Sequence, residues 1–128
     1  MTGVTGLVTH VDLDDGATRA GQMSMSARLV AVLADGRSLV LLDDRGWSLW
    51  GPVDVRKLIS VEDVERDARM VVGPDEPGDG QTGEQMAADH WASLAGIIAW
   101  HGVSVDAREL ERLPHDVVLS ERLRARIG

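Results

Sequence analysis

Three side chains of one predicted helix, Asp89, His90 and His101, have the types best suited to acid–base or metal chemistry. Imidazole and carboxylate groups transfer protons and bind divalent metals. Their spacing places both histidines on one helix face but about 16 Å apart along its axis, too far for one metal ion. We therefore expect two partly buried, hydrogen-bonded histidines. The alternative function is a small-molecule or metal-binding domain with hydrolytic activity at these three residues.

A second candidate site is acidic. Asp75, Glu76 and Asp79 fall in a loop rich in Pro and Gly just before that helix, and Trp50 precedes a strand-breaking Gly-Pro pair. Residues 54–89 carry ten acidic side chains against four basic ones. The net charge of −8 makes nucleic acid an unfavourable partner, because phosphate binding needs a basic surface. We predict that these four residues belong to a docking surface for a basic protein.

The sequence lacks the motifs of several enzyme classes. It has no cysteine, no serine within a G-x-S-x-G turn, and no glycine-rich phosphate loop followed by lysine. We therefore predict no catalytic residue, no metal site and no cofactor. The leading function is a non-enzymatic protein-binding or regulatory protein acting through its acidic surface. A toxin-neutralising immunity protein is one concrete form of it.

The expected cellular location depends on two features that the sequence lacks. No apolar run approaches the roughly 20 residues of a membrane span, and the first residues lack the pattern of a signal peptide. We expect a cytoplasmic protein that does not bind membranes. Self-association stays open at this point.

A long helix over about 84–101 must position the first candidate site. Thr82 and Gln85 form a capping-box pair, and Gly102 is a typical residue after a helix end. Five large apolar residues share one broad side: Met86, Trp91, Leu94, Ile97 and Ile98. Four alanines form a second stripe: Ala88, Ala92, Ala95 and Ala99. A helix that is apolar nearly all round is buried on two sides, so we expect it between a sheet and another helix.

The N-terminal part predicts a β-meander. Strands are expected at 4–11, 28–33, 38–42 and 47–50, and residues 53–59 extend the sheet. Asp35-Gly36 between two apolar runs indicates a hairpin, and residues 43–46 indicate the next turn. Residues 17–26 predict a loop or a short edge strand. Segment 60–72 fits both helical and strand spacing, and we favour a strand over 66–72.

The C-terminal part predicts two short helices. Asp106 and Glu109 cap the first, which ends near Leu113. The second begins near His115, with Asp116 as its N-cap. Three apolar residues on one side of this last helix would cover the alanine stripe: Leu119, Leu123 and Ile127.

These elements predict an α+β fold in a single domain over residues 1–128. An antiparallel meander of four to six strands occupies about 1–72, and an acidic loop occupies 73–83. Two or three helices over 84–127 pack on one face of the sheet. All four tryptophans are expected in the core, with Trp50 the least buried of them: Trp47, Trp50, Trp91 and Trp100.

Three segments carry a resemblance to other sequences. VVGPDEP at Val71–Pro77, ADHWASLA at Ala88–Ala95 and LPHDVVLSERLRARI at Leu113–Ile127 resemble uncharacterised small proteins of high-GC bacteria. The resemblance covers about the C-terminal half of the chain. It implies no activity, cofactor or site residue.

Overall fold

The computed structural model describes residues 3–14, 22–50, 59–74 and 80–127. Their elements, in chain order, are β1 Val4–Leu13, β2 Gln22–Leu33, β3 Ser38–Trp50, α1 Val61–Val71, α2 Gly83–Trp100, α3 Ala107–Arg112, β4 His115–Leu119 and α4 Glu121–Arg126. The strands form one mixed sheet in the order β3-β2-β1-β4. Strands β1, β2 and β3 pair antiparallel, while β4 runs parallel to β1. The α+β class is confirmed. The antiparallel meander is only partly right, because β1, β2 and β3 form it but β4 adds a parallel strand. Within the described ranges, no helix is long and apolar enough to cross a membrane.

Alternating burial shows which side of the sheet carries the core. Along β1, Leu7, Thr9, Val11 and Leu13 are buried, while the residues between them are exposed or half-buried. Successive side chains of a strand point to opposite faces, so one face of β1 packs inward. The predicted β2–β3 hairpin is confirmed, and Gly36 adopts a φ of 89° in its turn.

Strands β2 and β3 are longer than the sequence indicated. Strand β2 begins at Gln22 and is central in the sheet, so the prediction of a loop or edge strand over 17–26 is wrong for its described part. Strand β3 continues through 43–46, where a turn was expected. Its pairing with β2 shifts register between Ala27 and Leu29 and again between Leu29 and Val30. These bulges absorb extra residues of β3 and replace the turn.

Segment 61–71 is a helix, so the predicted strand over 66–72 is wrong. Ser60 Oγ accepts a hydrogen bond from the Asp63 backbone N–H at 3.2 Å. The Asp63 carboxylate accepts one from the Ser60 N–H at 3.0 Å. This capping box satisfies backbone donors that a helix start leaves free. Val64 and Ala68 are four residues apart and both are buried. The apolar residues at helical spacing therefore face the core.

Residues 115–119 form strand β4, so the helix predicted to start near His115 is wrong. The strand is held at both ends by β1. The Leu7 N–H donates to the Pro114 carbonyl at 2.8 Å, and the Ser120 N–H donates to the Val11 carbonyl at 2.9 Å. Helix α4 starts only after this strand. Its N-cap is Ser120, and not Asp116 as predicted.

The last helix packs on a different partner from the one expected. Leu123 is fully buried and shares a cluster with Leu119, Val64 and Ala68. Helix α4 therefore covers β1 and α1, and the prediction that it covers the alanine stripe of α2 is wrong. Of that stripe, Ala95 is half-buried, and the other three alanines are exposed.

Two buried clusters lie on the helical side of the sheet. The main cluster contains Leu7, Ala27, Leu29, Ala31, Leu33, Leu41, Val72, Leu94, Ile98, Val103 and Leu110. The second contains Val11, Leu13, Met23, Met25, Val64, Ala68, Leu119 and Leu123. Trp47 contacts both clusters, and Trp91 packs against the main one. Trp100 is 87% exposed, so its predicted place in the core is wrong. The side chain of Trp50 lies outside what the structure describes.

A hydrogen-bonded ion pair ties the end of the chain to the first strand. The Asp12 carboxylate accepts from Arg122 Nε at 2.7 Å and from Nη2 at 3.1 Å. It also accepts from the Ser120 hydroxyl at 2.7 Å and the Leu13 N–H at 2.8 Å. These bonds lower the pKa of Asp12 from 3.8 to about 2. The hydrogen bond from Arg122 contributes most, and the hydrogen bond from Ser120 is second. The cluster is thus a structural clamp between β1 and α4.

We predict that Asp12→Asn lowers the free energy of unfolding near pH 7 by about 1–2 kcal/mol. The pKa shift corresponds to more, but the Asp12 side chain is 46% exposed, so solvent screening reduces it. Because the folded-state pKa is lowered, the stabilisation is complete above about pH 4 and is lost as pH falls through about 2. Urea melts between pH 2 and 7 should show a shallower pH dependence for the variant.

The matched control for this clamp is Asp43→Asn, which removes one exposed carboxylate from β3. It should change stability by less than about 0.5 kcal/mol. If Asp12→Asn and Asp43→Asn melted alike at every pH, the clamp would contribute nothing.

Candidate functional site

Helix α2 carries the candidate site residues and is fixed at both ends. Thr82 Oγ1 accepts from the Gln85 N–H at 3.1 Å, and the Gln85 side chain accepts from the Thr82 N–H at 2.9 Å. Gly102, with φ of 84°, follows its C-cap. Leu94 and Ile98 bury one side of the helix in the main core. The predicted capping box and helix are confirmed, and a concave surface lies on either side of α2.

The first concave surface is the α2/β3 cleft, with a volume of ≈340 Å³. It is lined by Leu42, Arg45, Met86, Asp89, His90, Ser93, Leu94 and Ile97. Two of the sequence-predicted residues, Asp89 and His90, therefore share a cleft. The structure adds the guanidinium of Arg45 from β3 and the hydroxyl of Ser93. Apolar side chains form the rest of the lining, which suits a largely apolar group with a polar edge.

His101 does not belong to this cleft. It is exposed at the C-cap of α2, and its Nδ1 lies 2.9 Å from the Ile97 carbonyl oxygen. His90 is half-buried, and its ring meets Trp91 edge-on with centroids 5.0 Å apart. The predicted set of Asp89, His90 and His101 is thus divided between two places. In the described part of the chain, no three His, Asp or Glu side chains come together to hold a metal ion.

The second concave surface is the α2/α3 cleft, with a volume of ≈600 Å³. It is lined by Glu84, Ala87, Ala88, Trp91, Asp106, Ala107, Arg108 and Glu111. It forms because α3 packs against α2 after the turn at Gly102, with Leu110 buried in the main core. The predicted short helix after Asp106 is confirmed as α3, and Asp106 caps it by accepting from the Arg108 N–H at 2.9 Å.

The α2/α3 cleft is acidic and has an aromatic wall. Glu84, Asp106 and Glu111 supply three carboxylates against the single guanidinium of Arg108, and all four residues are exposed. Trp91 is half-buried between this cleft and the main core. The face of an indole attracts cations, and nearby carboxylates strengthen that attraction. The arrangement is therefore suited to a positively charged group with an alkyl stem.

The acidic residues singled out in the sequence lie elsewhere. Asp75, Glu76 and Asp79 fall outside the described residues, as does the side chain of Trp50. The α2/α3 cleft was missed because its carboxylates come from two helices that meet only in the folded chain. The available signal was the pair Glu84 and Trp91, which are seven residues apart and hence on one helix face.

A buried polar pair holds β4 in place. Thr9 Oγ1 and His115 Nε2 lie 2.6 Å apart, and Thr9 is fully buried. Arg69 of α1 donates to the His115 carbonyl oxygen at 3.1 Å. Burial, and then the charge of Arg69, lower the pKa of His115, while the charge of Asp116 raises it. The neutral imidazole thus joins an edge strand to the sheet, and we assign it a structural role.

No protein-family description, curated protein or solved structure matches this chain.

Proposed function

We propose that this chain is a non-enzymatic protein-binding or regulatory protein that receives a basic side chain of its partner in the α2/α3 cleft. The observation that carries the proposal is the grouping of Glu84, Asp106 and Glu111 around the half-buried Trp91. Lysine and arginine present a cation on an apolar stem, and such a side chain matches both the carboxylates and the indole. The net charge of −8 steers a basic partner toward the chain from a distance.

Two classes of partner would present such a basic side chain. A toxin neutralised by an immunity protein is one partner with a basic surface, and a basic segment of a regulated enzyme is another. Both would present arginine or lysine to the same cleft. Association should be fast at low salt and slow at high salt, because exposed charges are screened over about 8 Å at physiological ionic strength.

We expect a hexa-arginine peptide to bind this cleft and to shift the indole N–H resonance of Trp91 in NMR spectra. Trp91→Phe assigns that resonance among the four tryptophans. The double variant Glu84→Gln/Glu111→Gln should raise the dissociation constant about 3-fold to 30-fold, because it removes two partly exposed ion pairs of about 0.3–1 kcal/mol each. A hexaglutamate peptide should not bind.

The control is the double variant Glu62→Gln/Glu65→Gln, which makes the same charge change on α1. It should leave the peptide affinity within about twofold of the wild type, because it alters only the long-range field. Equal losses in the two double variants would mean that net charge alone attracts the peptide. That result, or an unmoved Trp91 resonance, would exclude the cleft as the binding site.

A further inference from the structure

Trp100 is the most exposed large apolar side chain among the described residues, at 87%. It ends α2 and follows the exposed face of that helix, where Ala92, Gly96 and Ala99 are also exposed. Tryptophan buries a large area when it is covered, and it is enriched at the energetic centres of protein interfaces. The outer face of α2 thus combines a protruding ring with small neighbours that allow close approach.

Trp100 is aligned with the α2/β3 cleft. Met86, Ser93 and Trp100 are seven residues apart, so they follow one line along the helix. Met86 and Ser93 line the α2/β3 cleft, and Trp100 lies one step beyond its end. Gly96 lies beside this line, and open space surrounds the position that a Cβ would take there. A second helix can therefore approach this line closely.

The spacing is symmetric about Ser93. In two α2 helices that pack antiparallel around a two-fold axis at Ser93, a residue seven positions after it faces the residue seven positions before it. Trp100 of one copy then faces Met86 of the second copy, at the mouth of that copy's α2/β3 cleft. A cleft of ≈340 Å³ is near the lower end of ligand pockets, at about 300–1,000 Å³, so it suits a single ring.

Electrostatics favour the same arrangement. The first turn of α2 contains Glu84, but its last turn contains no basic residue. By contrast, α1 and α3 carry Arg69 and Arg112 in their last turns, where a cation stabilises the helix dipole. An antiparallel second copy would bring the positive end of its own α2 to the carboxyl end of the first, where the last turn has no basic residue. Arg45 also lines the receiving cleft, and a guanidinium is a favourable neighbour for an indole ring.

We propose that the chain forms a two-fold symmetric dimer in which antiparallel α2 helices pack around Ser93. The Trp100 ring of each copy lies against Met86 at the mouth of the other copy's α2/β3 cleft. The acidic α2/α3 cleft stays open in this dimer, because Trp91 points about 200° around the helix from Ser93. The dimer is therefore independent of the proposed binding of a basic partner, and either proposal can fail alone.

Sedimentation velocity over roughly 1 μM to 1 mM measures the dimer directly. We expect the wild type to associate, and we expect Trp100→Ala to raise the dissociation constant at least about tenfold. Because Trp100 is so exposed, this variant should keep the circular dichroism spectrum of the wild type. The matched control is Met70→Ala, which removes a 69% exposed apolar side chain from α1 and should leave association unchanged. A wild type that stays monomeric throughout, or equal association in Trp100→Ala, would overturn the proposal.

Single-cysteine variants test the orientation, since the chain has no cysteine of its own. Under mild oxidation Ser93→Cys should form a covalent dimer much faster than Met70→Cys, because the two-fold axis brings both copies of residue 93 together. Trp100→Cys should not, because antiparallel helices place the two copies of residue 100 about 21 Å apart. Fast cross-linking of Trp100→Cys would indicate a parallel pair, and slow cross-linking of Ser93→Cys would exclude the two-fold axis there. Either result overturns the arrangement.

Discussion

Leu94→Ala should lower the free energy of unfolding by about 2–5 kcal/mol. Leu94 is 1% exposed and lies in the main core, where α2 covers the sheet. Truncation removes apolar contacts and leaves a cavity that a close-packed interior fills only in part. Urea melts at one protein concentration measure the loss. The concentration must be fixed because self-association would add to the apparent stability.

The control is Ser93→Ala, the preceding and exposed position of the same helix. It should change stability by less than about 0.5 kcal/mol in the monomer. A loss below about 1 kcal/mol for Leu94→Ala would show that α2 does not rest on the sheet through this residue. Both clefts would then be misplaced, because each takes one wall from α2.

The helix starts were the most predictable features, since the groups that make them are close in sequence. Thr82 and Gln85 exchange their two hydrogen bonds across three residues, and the sequence showed the pair directly. Ser60 and Asp63 form a second capping box with the same spacing, but the alternation of apolar residues over 66–72 is typical of a strand. The helix is favoured because it buries Val64 in the second cluster. That tertiary contact is not visible in the sequence.

Strand β4 could not be predicted, because a distant part of the chain determines it. Five residues of mixed polarity do not distinguish a strand from a helix turn, since both periods fit so short a segment. The neighbour that selects the strand is β1, and Thr9 meets His115 across 106 residues of sequence. The same holds for Asp12 and Arg122, which are 110 residues apart.

The candidate sites also differ in whether their residues are close in sequence or come together only in the folded chain. Asp89 and His90 were predicted from their types, and the structure places them in a cleft with Arg45 of β3. Helical spacing placed His101 on the same face, but at the C-cap its ring turns back to the Ile97 carbonyl. The α2/α3 cleft depends on how α3 packs against α2, so local patterns could not reveal it.

Helix α2 therefore has three distinct sides. One side rests on the sheet through Leu94, one faces α3 through Trp91, and one is the exposed line through Ser93 that ends at Trp100. The near-uniform apolar character of this helix had indicated burial on two sides. In a monomer nothing covers the third side, although it ends in the apolar ring of Trp100. We therefore assign that side to contact with a second copy.

Gly46→Ala should lower the free energy of unfolding by about 1–3 kcal/mol, the usual cost of an added methyl group that forces the backbone to shift. Gly46 pairs with Ser26 of β2, next to the bulged part of β3. A Cβ at this position would lie 2.7 Å from the Met25 carbonyl oxygen, which belongs to the backbone of β2 and cannot rotate away. Glycine thus allows the two strands to approach at a point where the sequence suggested a turn. Urea melts measure the loss.

The control for this prediction is Gly83→Ala, where the added methyl group meets nothing within 4 Å at the start of α2. It should be neutral or slightly stabilising, because alanine favours a helix more than glycine does. If residues 43–46 formed a turn after all, with β2 and β3 separated there, Gly46→Ala would be as harmless as Gly83→Ala. Equal melting of the two variants would therefore disprove the continuous strand, while a loss confined to Gly46→Ala would confirm the close contact between β2 and β3.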